Sequence, residues 1–123
     1  MSDTEMFQQG EFQFTPGQGN NPALALAFYI RAKDLADIGN LDAAISDYSA
    51  ALAINPMFAA AHADRGIAWA RKGDYDRAIA DYDAALRIIP RDEKTRKNRA
   101  IAIDRKYQTE AEPPAAESPR SLN

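Results

Sequence analysis

The chain contains no cysteine and a single histidine, His62. Without cysteine there is no disulfide framework and no thiolate metal site, which fits a reducing compartment. Nucleophilic catalysis lacks its parts: no thiol is present, and the serines fall on one helix or in the tails, away from His62. No calcium-loop or zinc-ligand spacing occurs, and no glycine-rich phosphate loop. Apolar runs are interrupted by charge within a few residues, too soon for a membrane span. The first residues include Asp3 and Glu5 and lack a basic stretch followed by an apolar one, so they do not read as a signal peptide. Together these absences predict a cytoplasmic, non-enzymatic protein with no cofactor, no metal and no membrane contact.

What is present suits one soluble domain: 123 residues, 46% hydrophobic and 27% charged. Much of the apolar content is alanine, which predicts helices in close approach rather than bulky layers. The net charge of −3 is unevenly spread. Asp3, Glu5 and Glu11 give residues 1–20 a charge of −3, with no Lys or Arg. Glu110, Glu112, Glu117 and Arg120 give residues 108–123 a charge of −2, which leaves 21–107 at +2. Residues 1–20 are rich in Gln and Gly and are expected to be a disordered extension. Met6, Phe7, Phe12 and Phe14 are the apolar exceptions there, able to dock in a groove of this chain or a neighbour's. Residues 108–123, with Pro113-Pro114 and Ser118-Pro119, are expected to be a disordered acidic tail.

Between the tails the sequence repeats. Gly39 recurs as Gly73, Ala44 as Ala78, Tyr48 as Tyr82, Leu52 as Leu86 and Pro56 as Pro90, each pair 34 positions apart. Pro22 stands one period before Pro56, and Arg31, Arg65 and Arg99 fill one slot three times. A period of this length marks stacked helical hairpins.

The second unit reads His62-x2-Arg65-Gly66-x2-Trp69, then Ala78-x3-Tyr82, then Pro90. The first reads Phe28-x2-Arg31-Ala32-x2-Leu35, then Ala44-x3-Tyr48, then Pro56. This resembles the tetratricopeptide repeat, whose pattern is W-x2-L-G-x2-Y, A-x3-F and P. The resemblance covers roughly Ala25 to Asp92, and in every copy the family's Leu is Arg. It implies an all-α fold: a right-handed superhelical array of antiparallel hairpins with five helices. The domain would span 21–107, with repeats 25–58 and 59–92 and a capping helix 93–107. His62 falls where the family carries a packing aromatic. The family is an interaction scaffold, so the resemblance implies protein binding and no enzyme.

Helix signals agree with that plan. Asn21-Pro22 reads as N-cap and first position of a helix to about Asp37, with Leu24, Phe28, Ala32 and Leu35 inward. Gly39 supplies the left-handed turn and Asn40 caps a helix to about Ile54, burying Ala44, Ile45, Tyr48, Ala51 and Leu52. Asn55-Pro56 repeats the cap and opens a helix to about Lys72. There Ala59, Gly66 and Trp69 pack inward, with His62 at the rim. Gly66 costs about 1 kcal/mol of helix propensity, which predicts the close approach of another helix. Gly73 and Asp74 repeat the turn and cap, and Tyr75 to about Ile88 buries Ala78, Ile79, Tyr82, Ala85 and Leu86. Asp92 caps a last helix to about Tyr107. On it Arg96, Ala100, Ile103 and Tyr107 share a face opposite Lys94, Lys97, Arg105 and Lys106.

Three charged patterns need a reading. The Asp-Tyr-Asp triplets, Asp74–Asp76 and Asp81–Asp83, are not metal sites: Asp74 is a cap, Asp76 sits in a first turn, and Asp81 and Asp83 point to different faces. The Arg slot lies between helices, where an unpaired charge costs several kcal/mol. A ladder is therefore expected, with Arg31 on Asp47, Arg65 on Asp81 and Arg99 also reaching Asp81. The cations of the last helix are offset by Asp92, Glu93 and Asp104 and lack interleaved aromatics, so no nucleic acid is expected.

A binding site follows from the array. Its first-of-pair helices line the concave wall. They would present Leu26, Tyr29, Ile30, Lys33 and Asp37, then Ala60, Ala63, Asp64, Ile67 and Arg71, then Lys94, Lys97, Asn98, Ile101 and Arg105. An apolar centre with a basic end suits a peptide or partner protein carrying apolar anchors and acidic groups. A homodimer, or residues 1–20 in the groove, are the alternatives. The resemblance also brings to mind the groove that clamps acidic chaperone C-termini with Lys, Asn, Asn, Lys and Arg. Those slots here hold Tyr29, Lys33, Asp64, Lys94 and Asn98, so no chaperone ligand is expected.

Overall fold

A computed structural model describes residues 21–111. The expectations for residues 1–20 and 112–123 lie outside the described residues. Among the described residues there are five helices and no strand: α1 (Pro22–Asp37), α2 (Leu41–Ile54), α3 (Ala59–Arg71), α4 (Tyr75–Ile88) and α5 (Glu93–Ala111). α1 pairs with α2 and α3 with α4 as antiparallel hairpins, while α3 packs on α2 and α5 on α4.

Each hairpin turns on a glycine. Gly39 and Gly73 hold φ of 85° and 86°, a backbone shape that a Cβ disfavours. The turn also satisfies helix-end carbonyls: Asn40 N–H reaches Leu35 O at 2.8 Å and Asp74 N–H reaches Trp69 O at 2.9 Å. One period on, the slot holds Tyr107. The chain does not fold back there, and α5 runs on to Ala111, past the expected end at Tyr107.

The caps follow the sequence with two corrections. Asn21 accepts from Leu24 N–H at 3.0 Å, Asp74 from Arg77 N–H at 3.1 Å and Asp92 from Thr95 N–H at 3.3 Å. Asn40 occupies the cap position of α2, but its side chain makes no cap bond. Asn55-Pro56 does not open α3, which starts at Ala59 with Phe58 as its cap residue. Asn55 Oδ1 accepts instead from Met57 N–H at 3.1 Å, and Phe58 N–H reaches Asn55 O. Here the chain must leave α2 before a new helix can begin. At Asn21-Pro22 no described helix precedes, and α1 gains an extra turn.

The core is built from alanines and two tyrosines. Ala32, Ala44, Tyr48, Leu52 and Ala61 form one buried cluster, and Ala78, Tyr82 and Ala102 another. Side chains that end at Cβ let helices approach closely, and each tyrosine ring fills the space left between them. Gly66 shows the limit of this packing: a Cβ built there would lie 2.7 Å from Tyr82 Cε1 and 3.1 Å from Ala78 O. This is the close approach its helix cost called for. All five expected residues of α2 are buried. On α1, Ala25 and Ala32 are buried and Leu24 stays 40% exposed, because no described helix lies on its side. On α5 the face is turned by about one residue from the expected one. Thr95 and Ala102 are buried, while Arg96, Ala100 and Tyr107 are exposed and Ile103 is half-buried.

The arginine slot forms a ladder. Arg31 Nε and Nη2 donate to Asp47 at 2.6 and 2.9 Å, and Arg65 Nε and Nη2 donate to Asp81, both at 2.8 Å. Arg65 Nη1 also donates to Ser49 Oγ at 2.9 Å, one helix back. Arg99 does not reach Asp81, which Arg65 already holds with both oxygens. It donates instead to Asp83 at 2.5 Å, in the slot one period after Ser49. Asp81 and Asp83 thus serve opposite neighbours, α3 and α5. Burial pushes the Asp81 carboxyl up, but the two hydrogen bonds from Arg65, with the His62 ring nearby, pull it further down, leaving it below the ordinary value.

Candidate partner-binding groove

α1, α3 and α5 bring their inner faces to one wall. Three hollows run along it, with cavity volumes of about 170, 230 and 330 Å³. Ile67 and Lys94 line all three, so the hollows adjoin one another along the wall. Tyr29, Lys33, Ala63 and Asp64 line its first part with Lys94 and Asn98. Arg71, Ile101 and Arg105 line the last. Ala60 and Asp37 also reach the wall. Tyr29 and Ile67 line one hollow, and Ile67 and Ile101 the next.

Leu26, Ile30 and Lys97 line none of these hollows. Leu26 and Ile30 are about half-exposed on α1, the helix at the open end of the array. One period later, Ala60 and Asp64 do line the groove, because α3 has a neighbour on each side and α1 has one. The floor includes residues that the pattern did not assign to the groove. Tyr48 and Tyr82 reach it from α2 and α4, and Asp92 and Thr95 from the start of α5. The 34-residue recurrence of tyrosine was the available signal; an alanine-lined wall leaves these rings visible between the first-of-pair helices.

The electrostatics divide the groove. Tyr29 hydroxyl donates to Asp64 Oδ2 at 2.6 Å, and Lys33 Nζ lies 3.8 Å from the same oxygen. The Asp64 carboxylate, which stands in a chaperone-clamp slot, is thus engaged by α1. Burial first, then the Asp64 contact, pushes the Tyr29 hydroxyl well above the ordinary phenol range. Tyr48 is raised likewise, by burial and then by Asp64 and Asp37. Tyr82 is pushed up to about 12, by burial and then by Asp81 and Asp64. These phenols stay neutral, and the Tyr29 hydroxyl acts as a donor. Arg71 Nη1 is tied to Ala36 O at 2.9 Å. Lys94, Lys97 and Arg105 have no carboxylate within 4.0 Å among the described residues; Lys94 and Arg105 present their charge to the groove, and Lys97 lies outside it.

Among the described residues no group of three or more His, Asp or Glu side chains is placed to hold a metal ion. No described helix is long and apolar enough to cross a membrane. His62 plays a packing part: its Nε2 lies 2.9 Å from Pro56 O, and Nδ1 is 4.0 Å from Asp81 Oδ1.

A tetratricopeptide repeat family model matches residues 29–93, which is 65 of the 123 residues. The chain belongs to the tetratricopeptide repeat family. No curated protein is similar enough to match. Among solved structures, a crystal structure of MamA protein is similar at a TM-score of 0.67 and 27% identity, covering 70% of this chain and 47% of that one. A second MamA crystal structure gives the same score and identity over 50% of its length. The chain thus spans about half the length of these MamA structures. The first tetratricopeptide domain of Spaghetti (RPAP3), bound to the HSP90 peptide SRMEEVD, is similar at a TM-score of 0.71 and 20% identity, over 76% of this chain and 75% of that one. At that identity the likeness is one of fold. Tetratricopeptide repeats as a family mediate protein–protein interaction, and their hairpins are not a catalytic framework.

Proposed function

We propose that this tetratricopeptide array is a non-enzymatic module that holds a peptide segment of a partner protein in its concave groove. The observation that carries this is the row of adjoining hollows from Tyr29 past Ile67 to Ile101, with Lys94 lining each of them. Ile67 and Ile101 offer apolar seats, and Lys94 and Arg105 offer charge to acidic groups beside those seats. Asp64 is no free anion in this groove, because Tyr29 and Lys33 already engage it. The neighbour bound to SRMEEVD is consistent with an acidic, apolar-anchored peptide in this fold. The ligand here differs from a chaperone tail. Of the five clamp slots only Lys94 carries the clamp's residue type, so a free terminal carboxylate lacks its cradle.

The test is selection of binding peptides from a random library on the immobilised protein, followed by calorimetry. Selected peptides should pair apolar anchors with Asp or Glu. Their affinity should fall at least about tenfold with Ile67→Glu, since an unpaired charge would displace an apolar seat. It should also weaken as salt rises. Peptides that bind the Ile67→Glu protein as tightly as wild type would refute the groove.

A further inference from the structure

α5 carries a face that no other described helix covers. Ala102 clusters with Ala78 and Tyr82 of α4, and Lys106 Nζ reaches Asp76 at 2.7 Å. Lys94, Asn98, Ile101 and Arg105 face the groove. A third side carries Arg96, Ala100, Ile103 and Tyr107. Ile103 is half-buried and the other three are exposed, Tyr107 by 65%. One and two periods earlier, the slot of Ala100 holds Gly66 and Ala32, both buried. There Gly66 meets Ala78 and Tyr82 of α4, and Ala32 clusters with Ala44 and Tyr48 of α2. The slot of Ala100 is thus a helix-packing slot, and among the described residues no second helix pairs with α5.

Arg96, Ala100, Ile103 and Tyr107 are spaced four, three and four, the spacing of a two-helix seam. The charges beside the seam say what fits it. Lys97 and Asp104 border it on the solvent side, and neither has an ion-pair partner within 4.0 Å among the described residues. Arg99 and Lys106 border it on the α4 side, and each is already held by α4, on Asp83 at 2.5 Å and Asp76 at 2.7 Å. An antiparallel second copy of α5 sets Ala100 opposite Ile103 and Arg96 opposite Tyr107, each contact made twice about a two-fold axis. The same axis brings Lys97 of each copy to Asp104 of the other. A parallel copy would set Arg96 on Arg96 and leave Lys97 and Asp104 apart.

We propose that two copies of this chain pair antiparallel through α5, with Ala100 and Ile103 at the centre and Lys97 joined to Asp104 across the rim. Arg96 then lies against the Tyr107 ring of the other copy, a cation on an aromatic face. The apolar centre supplies the affinity, and the exposed rim pairs, worth little in energy, set the orientation. A seam of four residues per copy falls short of the about 1,200 Å² of a standard interface, so the dimer is a weak one. Arg96, Ala100, Ile103 and Tyr107 line none of the groove hollows. The dimer therefore leaves both grooves open and presents two peptide sites to one partner. That consequence rests on the proposed groove; the pairing itself does not.

The test is sedimentation equilibrium of the full chain from about 10 μM to about 1 mM, with amide NMR over the same range. The wild-type mass should rise toward that of two chains, and the concentration-dependent shifts should fall on Ala100, Ile103 and Tyr107. Ala100→Glu, at an exposed position, should raise the dissociation constant at least about tenfold by placing charge in the seam. Lys97→Asp and Asp104→Lys should each raise it about fivefold, because each sets like charges opposite one another twice. Mixed together, these two single variants should pair with each other about as well as wild type does with itself, since unlike charges then meet at both rims. Circular dichroism on each variant confirms the fold. A mass that stays at one chain throughout overturns the proposal. So does an association that Ala100→Glu leaves intact, one whose shifts fall on Tyr29 and Ile67, or one that the mixed variants fail to restore.

Discussion

Gly66→Ala tests the packing on which the groove wall rests. In an exposed helix the change would add about 1 kcal/mol of stability, since glycine is the poorer helix former. Here the new Cβ would stand 2.7 Å from Tyr82 Cε1 and 2.9 Å from Cδ1. Carbon atoms prefer about 3.5 Å or more, so the ring must retreat by about 0.8 Å. It has little room, because Tyr82 is only 2% exposed and packs within a cluster with Ala78 and Ala102. The Ala78 carbonyl, at 3.1 Å, cannot move without bending α4. Overpacking costs about 1–3 kcal/mol, and with both the ring and the carbonyl held in place the cost here belongs in the upper half, about 2–3 kcal/mol. Set against the propensity gain, the net loss should be about 1–2 kcal/mol. For a domain of this size that lowers Tm by roughly 5–10 °C. Urea and thermal unfolding followed by circular dichroism would measure it. A Gly66→Ala protein as stable as wild type, or more so, would refute the reasoning. Ala32 fills the same slot one period earlier, so Ala32→Gly should be destabilising too, by lost propensity and a small void.

Other expectations follow from the ladder, the turns and the buried phenols. A double-mutant cycle of Arg65→Leu and Asp81→Leu should give a coupling of about 1–3 kcal/mol by urea unfolding, and a coupling near zero would show the pair to be idle. The folded-state pKa of Asp81 is depressed, so its contribution is present above the ordinary carboxylate range and lost as pH falls through the depressed value. Arg65→Leu should therefore shift the acid loss of stability to higher pH, read from urea midpoints. Gly73→Ala should cost about 1–2 kcal/mol through backbone strain alone, since φ is 86° and nothing lies within 4 Å of the added carbon. Tyr82 is raised to about 12, so the stability it holds is present below the ordinary tyrosine value of about 10 and lost as pH rises through about 12. Its absorbance should titrate late, and together with alkaline unfolding.

The fold was legible because its signals are local and recur. Gly39, Gly73, Asp74 and Asp92 act within a turn of themselves, and the alanine and tyrosine slots repeat at a constant offset. The ladder was legible in type, since a charge between helices must find a partner. It was wrong at Arg99 because pairing distance alone does not say which carboxylate is already taken. The start of α3 was misread because Asn55-Pro56 and Asn21-Pro22 look alike in sequence. They differ only in whether another helix must be left first. The face of α5 was misread because its composition is polar on all sides, and the neighbour, not the pattern, chose Thr95 and Ala102. In the groove, Tyr29, Ile67 and Ile101 followed from repeat geometry. Leu26 and Ile30 did not join them, because equivalence by register stops being equivalence of surroundings at the end of an array.

The slot held by Gly39, Gly73 and then Tyr107 acts as a counter. Where glycine stands, the next helix folds back and another layer is added. Where tyrosine stands, α5 continues as a rod of 19 residues, about 28 Å long. How many layers such a protein stacks, and so how long a peptide its inner wall can span, is thus decided one residue at a time by whether the backbone can turn left-handed.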